Sequence, residues 1–372
     1  MHATKALAEA DRLMTVCNSC RYCEGLCAVF PAMEMRRSFA DADLNYLANL
    51  CHSCGACFID CQFSPPHEFN VNVPQNLAEV RAQSYGAYAW PIALPEVFAR
   101  NGLVVALVAA VSVAAFILGF VAFGNPQALY ASGGETGAFY RLMPHNTMAA
   151  LFGLVFLYAV LALVMGARTF WVSTRNVGAP RLKPGDVWQA LRDAASLRYL
   201  DGAGAGCYVE EDAGPDRRRL YHHLTFYGFV LCFAATCVAT LYHYLLQREA
   251  PYPWYDLPVV LGILGGIGLV IGPMGLRTEM TRRDPALTDP ASAGMQNAFL
   301  AMLWLTGATG LMLILLRNTS AMGLVLAAHL GVVFALFATM PYGKFVHGIY
   351  RTLALVRYAA EKRYMDEHGV SE

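Results

Sequence analysis

The sequence predicts an all-α protein in two parts, a small water-facing domain over residues 1–100 and a bundle of six membrane-crossing helices over 101–350. Three observations carry this. The chain of 372 residues is 56% hydrophobic and 15% charged, whereas ordinary globular domains sit near 45–50% apolar and about 25% charged. Nearly all of its long apolar runs lie beyond residue 100. The polar, cysteine-rich stretch before them shows leucines at helical spacing and no strand alternation.

Residues 1–16 hold no apolar leader segment, so the N-terminal domain is expected to stay in the cytoplasm. The formal charge is zero, with 27 basic and 27 acidic residues, and nothing points to nucleic acid. Eight of the eleven cysteines fall within residues 17–61, in two runs of the form C-x2-C-x2-C-x3-C. The first is Cys17, Cys20, Cys23 and Cys27; the second is Cys51, Cys54, Cys57 and Cys61. In a reducing compartment such density argues for metal clusters over disulfides. Three thiolates two residues apart can wrap three corners of a [4Fe–4S] cubane, and the fourth points to the other cluster. Cys17, Cys20, Cys23 and Cys61 are therefore expected to hold one cluster, and Cys51, Cys54, Cys57 and Cys27 the second. Zinc prefers two C-x2-4-C pairs, which this spacing is not.

Between the runs, Leu44, Leu47 and Leu50 recur at helical spacing, with Asp41 as the expected N-cap. No proline directly follows either last cysteine, unlike the bacterial ferredoxin pattern. The expected module is a helical ferredoxin-like domain carrying two clusters.

Six apolar runs, at about 102–124, 147–167, 221–246, 257–276, 298–316 and 321–346, are long enough or nearly so to cross a bilayer, which takes about 20 helical residues. An even count puts both termini on one side. The loop 168–220 carries Arg168, Arg175, Arg181, Lys183, Arg192, Arg198 and Arg217–Arg219, and the loop 277–297 carries Arg277, Arg282 and Arg283. The opposite loops hold only Arg141, Arg248 and Arg317. The positive-inside rule then sets both termini in the cytoplasm, with 351–372 as a cytoplasmic tail. The glycine-rich stretch 202–206 reads as a connector and Cys207 as a lone thiol; no strand or phosphate-loop lysine accompanies them.

Ionisable side chains at membrane depth are costly and usually functional. His145, His222, His223, His243, His329 and His347 lie in or beside the expected spans. Imidazole is the usual axial ligand of b-type haem, and two helices can clamp one haem between them. His329 and His347 are 18 residues apart. At about 100° per residue they face the same way on one helix, about 27 Å apart along its axis. His222 lies about 60° from the face of His243, and His223 about 200° from it. The expected pairs are His222 or His223 with His347 for an inner haem, and His243 with His329 for an outer one. His145 could substitute for His243, and the haem count is one or two. The alternative for any single helix-end histidine is snorkelling to the interface. Cys232 and Cys237, five residues apart, face different ways and read as packing residues. Lys344 and Arg351 read as topology-setting charges beside a possible quinone site.

With both cysteine runs, Tyr221-His222-His223-Leu224-Thr225-Phe226-Tyr227-Gly228-Phe229 and Pro341-Tyr342-Gly343-Lys344-Phe345-Val346-His347 in view, the chain resembles the tricarballylate/citrate utilisation protein B family over nearly its whole length. The resemblance implies a bacterial inner-membrane partner of a soluble flavin dehydrogenase that oxidises tricarballylate. Electrons from the reduced flavin would reach the membrane quinone through iron–sulfur clusters and haem b. The His329–His347 spacing also looks like the last haem helix of the respiratory nitrate reductase gamma subunit, a cytochrome b bundle. That subunit's other haem helix has histidines ten apart, where this chain has Cys232 and Phe233, which weakens the outer haem. No residue set suits acid–base work on a carboxylate substrate, so only redox steps are expected here. Two other classes fit less well. A heterodisulfide-reductase-like or glycolate-oxidase-like quinone-linked oxidoreductase would carry a C-x(n)-CCG motif, which is lacking. An iron–sulfur redox sensor would need neither haem nor quinone.

Overall fold

Thr4 opens the first helix, its hydroxyl accepting from the Leu7 N–H at 3.2 Å and so satisfying one of the free amides of the first turn. In the computed structural model, which describes residues 2–91, 100–123, 126–175, 180–200 and 217–368, every regular element is a helix and no strand occurs among those residues. The N-terminal domain is built from α1 (Lys5–Cys20), α2 (Val29–Glu34), α3 (Asp41–Leu50), α4 (Ala56–Ile59) and α5 (Val73–Ala87). The bundle follows as α6 (Asn101–Phe123), α7 (His145–Thr174), the short α8 (Pro184–Ser196), α9 (Arg218–Leu246), α10 (Leu257–Arg282), α11 (Ala293–Leu316) and α12 (Met322–Thr339). A last helix, α13, runs from Val346 to His368. The segment 202–206 and Cys207 lie outside the described residues.

Leu44, Leu47 and Leu50 are fully buried on α3, as their spacing requires. Asp41 is not the cap: α3 starts at Asp41, with Ala40 extended in the cap position. The Asp41 carboxylate is drawn instead to the chain's own beginning, where it meets the His2 ring at 2.5 Å and accepts from the Ala3 N–H at 3.0 Å.

Among the described residues six helices are long and apolar enough to cross a membrane, and the chain is a multi-pass membrane protein. Two of them run past the apolar windows, α7 to Thr174 and α10 to Arg282. Contact between α9 and α10 is close because small residues line it. A methyl group at Gly268 would stand 2.7 Å from the Leu224 carbonyl oxygen, and one at Gly265 would stand 2.7 Å from the Cys232 amide nitrogen and sulfur. Cys232 is thus a packing residue, as read from its position.

The sixth span departs most from the reading. It ends at Tyr342, and Met340–Tyr342 forms a tight turn containing Pro341, which cannot donate to a helical ladder. Gly343 then takes an extended backbone and the chain restarts as α13. His329 and His347 therefore sit on separate helices, and the whole-turn argument across 18 residues fails. Residues 351–368 are likewise no tail: Tyr350, Ala354 and Leu355 of α13 join Leu44, Tyr46 and Leu47 of α3 in one buried core, together with Phe170 of α7.

A buried charge network fastens this arrangement. Arg36 meets Asp43 and Glu361, each at 2.7 Å, and Arg357 meets Glu361 at 2.8 Å and Asp43 at 3.5 Å. The Tyr46 hydroxyl donates to Glu361 at 3.1 Å, and Arg357 lies over the Tyr46 ring while also donating to the Thr174 carbonyl. Two cations balance two anions, so removing one leaves uncompensated buried charge. Glu361→Gln is expected to cost about 3 kcal/mol, read as a lower denaturant midpoint of the purified protein in detergent.

Candidate functional site

The eight cysteines of the two runs gather into two groups, and the groups do not follow the order of the chain. Cys17, Cys20, Cys23 and Cys61 line one hollow of about 440 Å³ with Val16, Phe30 and Phe63. Cys27, Cys51, Cys54 and Cys57 line a second of about 380 Å³ with Val29, His52 and Tyr199; Cys57 also borders the first. The crossing arises because α1 and the turn after it deliver Cys17, Cys20 and Cys23, while α4 carries Cys57 and ends just before Cys61. Gly55 makes the turn before α4 at φ +92°, where a side chain would be strained, and its α-carbon faces Leu287 so closely that a methyl would stand 2.8 Å from it.

Burial and the neighbouring cysteines push the thiols of Cys17 and Cys23 up to about 12. Cys27 and Cys57 are pushed up for the same reasons. Bare, these groups would stay protonated, so thiolates persist there only against a cationic centre. Among the described residues no three His, Cys, Asp or Glu side chains converge on a single point as a mononuclear metal requires. The thiols instead line the walls of the two hollows, four to each, where they would hold a cluster between them.

Four arginines from four parts of the chain clamp the backbone of the second run. Arg81 donates to the Cys51 carbonyl at 2.7 Å and to the Ser53 hydroxyl at 2.7 Å. Arg351 reaches the Cys51 carbonyl at 2.7 Å. Arg218 reaches the carbonyls of His52 and Ser53 at 3.0 and 3.1 Å, and Arg283 also donates to Ser53. Arg218 opens α9 and Arg283 follows α10, so the second run is the one seated on the bundle. The first run is open to solution, where Tyr22 is 72% exposed. Sequence reasoning counted Arg218, Arg283 and Arg351 as topology charges and missed Arg81. The available signal was spacing: Arg218 stands four residues before His222 and Arg351 four after His347, one helical turn each.

Those two histidines meet. The rings of His222 and His347 lie 6.2 Å apart, centre to centre, at 75°. Two imidazoles bound to opposite faces of one iron, each nitrogen about 2 Å from the metal, put their ring centres about 6 Å apart. His347 Nδ1 donates to the Lys344 carbonyl, which leaves Nε2 as the lone-pair nitrogen, the orientation seen in metal-bound histidines. Burial and then repulsion from Lys344 and Arg351 hold His347 neutral, well below the usual histidine range. His222 Nδ1 is buried with no hydrogen-bond partner. His223 points elsewhere, its Nε2 donating to the Ala195 carbonyl at 3.2 Å. The inner pair thus fits a haem, with His222 rather than His223 facing His347.

The far end of the bundle differs from the expectation. His243 stacks on His145 with ring centres 3.4 Å apart and planes 15° from parallel, which leaves no gap for a metal between them. His329 instead hydrogen-bonds Thr309 on α11 at 2.9 Å through Nδ1 and lies against Gly310. His243 and His329 do not form the anticipated pair: His243 is taken up by His145 and His329 by Thr309. The residues present do not fit a second haem between stacked rings.

Comparison with known proteins gives two family matches. The model described as Citrate utilization protein B matches residues 97–367, and that described as its Fer4-like domain matches residues 10–87. A curated relative, Citrate utilization protein B of Escherichia coli, is 49% identical over 369 residues, covering 99% of this chain and 96% of the relative. No solved structure shows a significant match.

Proposed function

The chain belongs to the citrate utilization protein B family, and we propose on that footing that it is the membrane electron-transfer partner of a soluble flavin dehydrogenase, the tricarballylate dehydrogenase its resemblance implies. On this reading it sits in the bacterial inner membrane with both termini in the cytoplasm and hands electrons to quinone. Two [4Fe–4S] clusters and one haem b, when bound, supply its one-electron carriers. Cys17, Cys20, Cys23 and Cys61 hold the cluster that faces solution and the flavoprotein. Cys27, Cys51, Cys54 and Cys57 hold the cluster over the bundle. His222 and His347 would hold the haem iron between them.

One observation carries the reading. Two of the four arginines that grip Cys51–Ser53, Arg218 and Arg351, are borne by the same two helices as the histidines that pair below them, α9 and α13, a single turn from each. This sets the second run directly over the histidine pair, so an ordered route runs from solution into the membrane. The arginines have a further effect, since positive charge around a cluster favours its reduced, more negative form.

The test is the reduced-minus-oxidised optical spectrum of protein purified anaerobically in detergent, with iron and haem counted. A b-type α-band with about eight non-haem irons and one haem per chain is the expected result. Eight irons without haem would overturn the histidine assignment, and zinc in place of iron would overturn the clusters.

A further inference from the structure

We propose that Lys344 binds the propionate carboxylates of the haem, with Arg218 and Arg351 beside it, and so turns that edge of the haem toward the cysteine domain. This deepens the electron-transfer reading and rests on its haem between His222 and His347. Lys344 stands in the bend between the sixth span and α13, and its carbonyl accepts from His347 Nδ1. The residue is partly buried, and its ammonium makes no hydrogen bond or ion pair among the described residues. The charges that press most on it are Arg81, Arg351, Arg218 and Arg283, all of its own sign. Arg81 and Arg351 are engaged by backbone carbonyls and the Ser53 hydroxyl, so neither brings a carboxylate with it. A buried cation among cations is costly until an anion meets it.

Two observations identify the anion. The first is place. Among charged groups Lys344 bears most strongly on His347, whereas it lines neither cysteine hollow. The second is the polarity around the histidine pair. Arg218 precedes His222 by four residues and Arg351 follows His347 by four, about 6 Å along each helix. Both reach the backbone of Cys51–Ser53, so both lie on the side of the cysteine run. The opposite side is aromatic. Phe229 lies seven residues beyond His222, about 10 Å deeper into the bundle. It packs on Phe345 with ring centres 5.6 Å apart, and Phe299 meets both Phe345 and His347 at 6.3 Å. A haem is divided in the same way, with two carboxylates on one edge and an apolar rim elsewhere. With its carboxylates toward the cations, the rim meets the phenylalanines and Lys344 gains a charge-assisted hydrogen bond.

The test titrates the full chain, purified in detergent from haem-starved cells, with protohaem and with protohaem dimethyl ester, whose two carboxylates are blocked. Uptake is read from the Soret band. Lys344→Met is expected to weaken protohaem binding on the order of tenfold yet to bind the ester as the unaltered chain does. Lys344→Arg is expected to restore protohaem binding, and about eight non-haem irons in each variant show that it has folded. Equal weakening toward both haems would make Lys344 a structural residue and overturn the proposal. Unchanged protohaem binding would overturn it too, and a shifted resonance signal of the second cluster would then assign the charge to that cluster. An unaltered chain that takes up neither haem would instead sink the haem reading itself.

Discussion

His347→Ala strips haem from the protein. Retention through purification falls on the order of tenfold or more, and the b-type α-band falls with it, while about eight non-haem irons remain. His222→Ala behaves the same way, since each ring supplies one axial ligand and their centres are 6.2 Å apart. His223→Ala keeps its haem, because that ring is turned to the Ala195 carbonyl. His243→Ala and His145→Ala also keep it, because those rings are stacked at the other end of the bundle. Non-haem iron serves as the folding control. Loss of haem in His223→Ala but not in His222→Ala would reverse the assignment of the inner pair.

The second large effect concerns which cysteine serves which cluster. Anaerobic samples of four single variants are expected to sort into two classes by electron paramagnetic resonance. Cys17→Ser and Cys61→Ser abolish or alter one reduced-cluster signal, and Cys27→Ser and Cys51→Ser the other, each with up to about four irons lost. The structure places Cys61 in the hollow of the first run, 38 residues after Cys23, and Cys27 in that of the second, 24 residues before Cys51. Were each run to hold its own cluster, Cys17→Ser and Cys27→Ser would fall in one class, and the crossed arrangement would be wrong.

The two cysteine groups were legible because ligand spacing is a local property: C-x2-C-x2-C fixes three thiols within one loop whatever surrounds it. The six spans were legible for a similar reason, being continuous apolar runs. The outer histidine pair was misread because its argument was long-range. It assumed one unbroken helix from His329 to His347, and Pro341-Tyr342-Gly343 interrupts it; a proline with a glycine two residues on was the visible warning. Asp41 had the side chain of a cap, but His2 and the Ala3 amide compete for its carboxylate, a tertiary contact that no local pattern encodes. The arginine clamp showed in the sequence only as the spacing of Arg218 and Arg351 from the two histidines. Its members are scattered from Arg81 to Arg351, and only the fold brings them to Cys51 and Ser53.

The packing of α13 into the N-terminal core also dictates an order of assembly. Tyr350 and Leu355 complete the core around α3, and Arg351 closes on the carbonyl of Cys51, yet all are made near the end of synthesis, after the last span. On the ribosome, the cysteine domain therefore emerges first and must wait, unfinished, while six helices enter the bilayer. Completion of its core is a late event that follows membrane insertion, and truncation before α13 should yield an inserted bundle whose cysteine domain remains a client of chaperones and proteases.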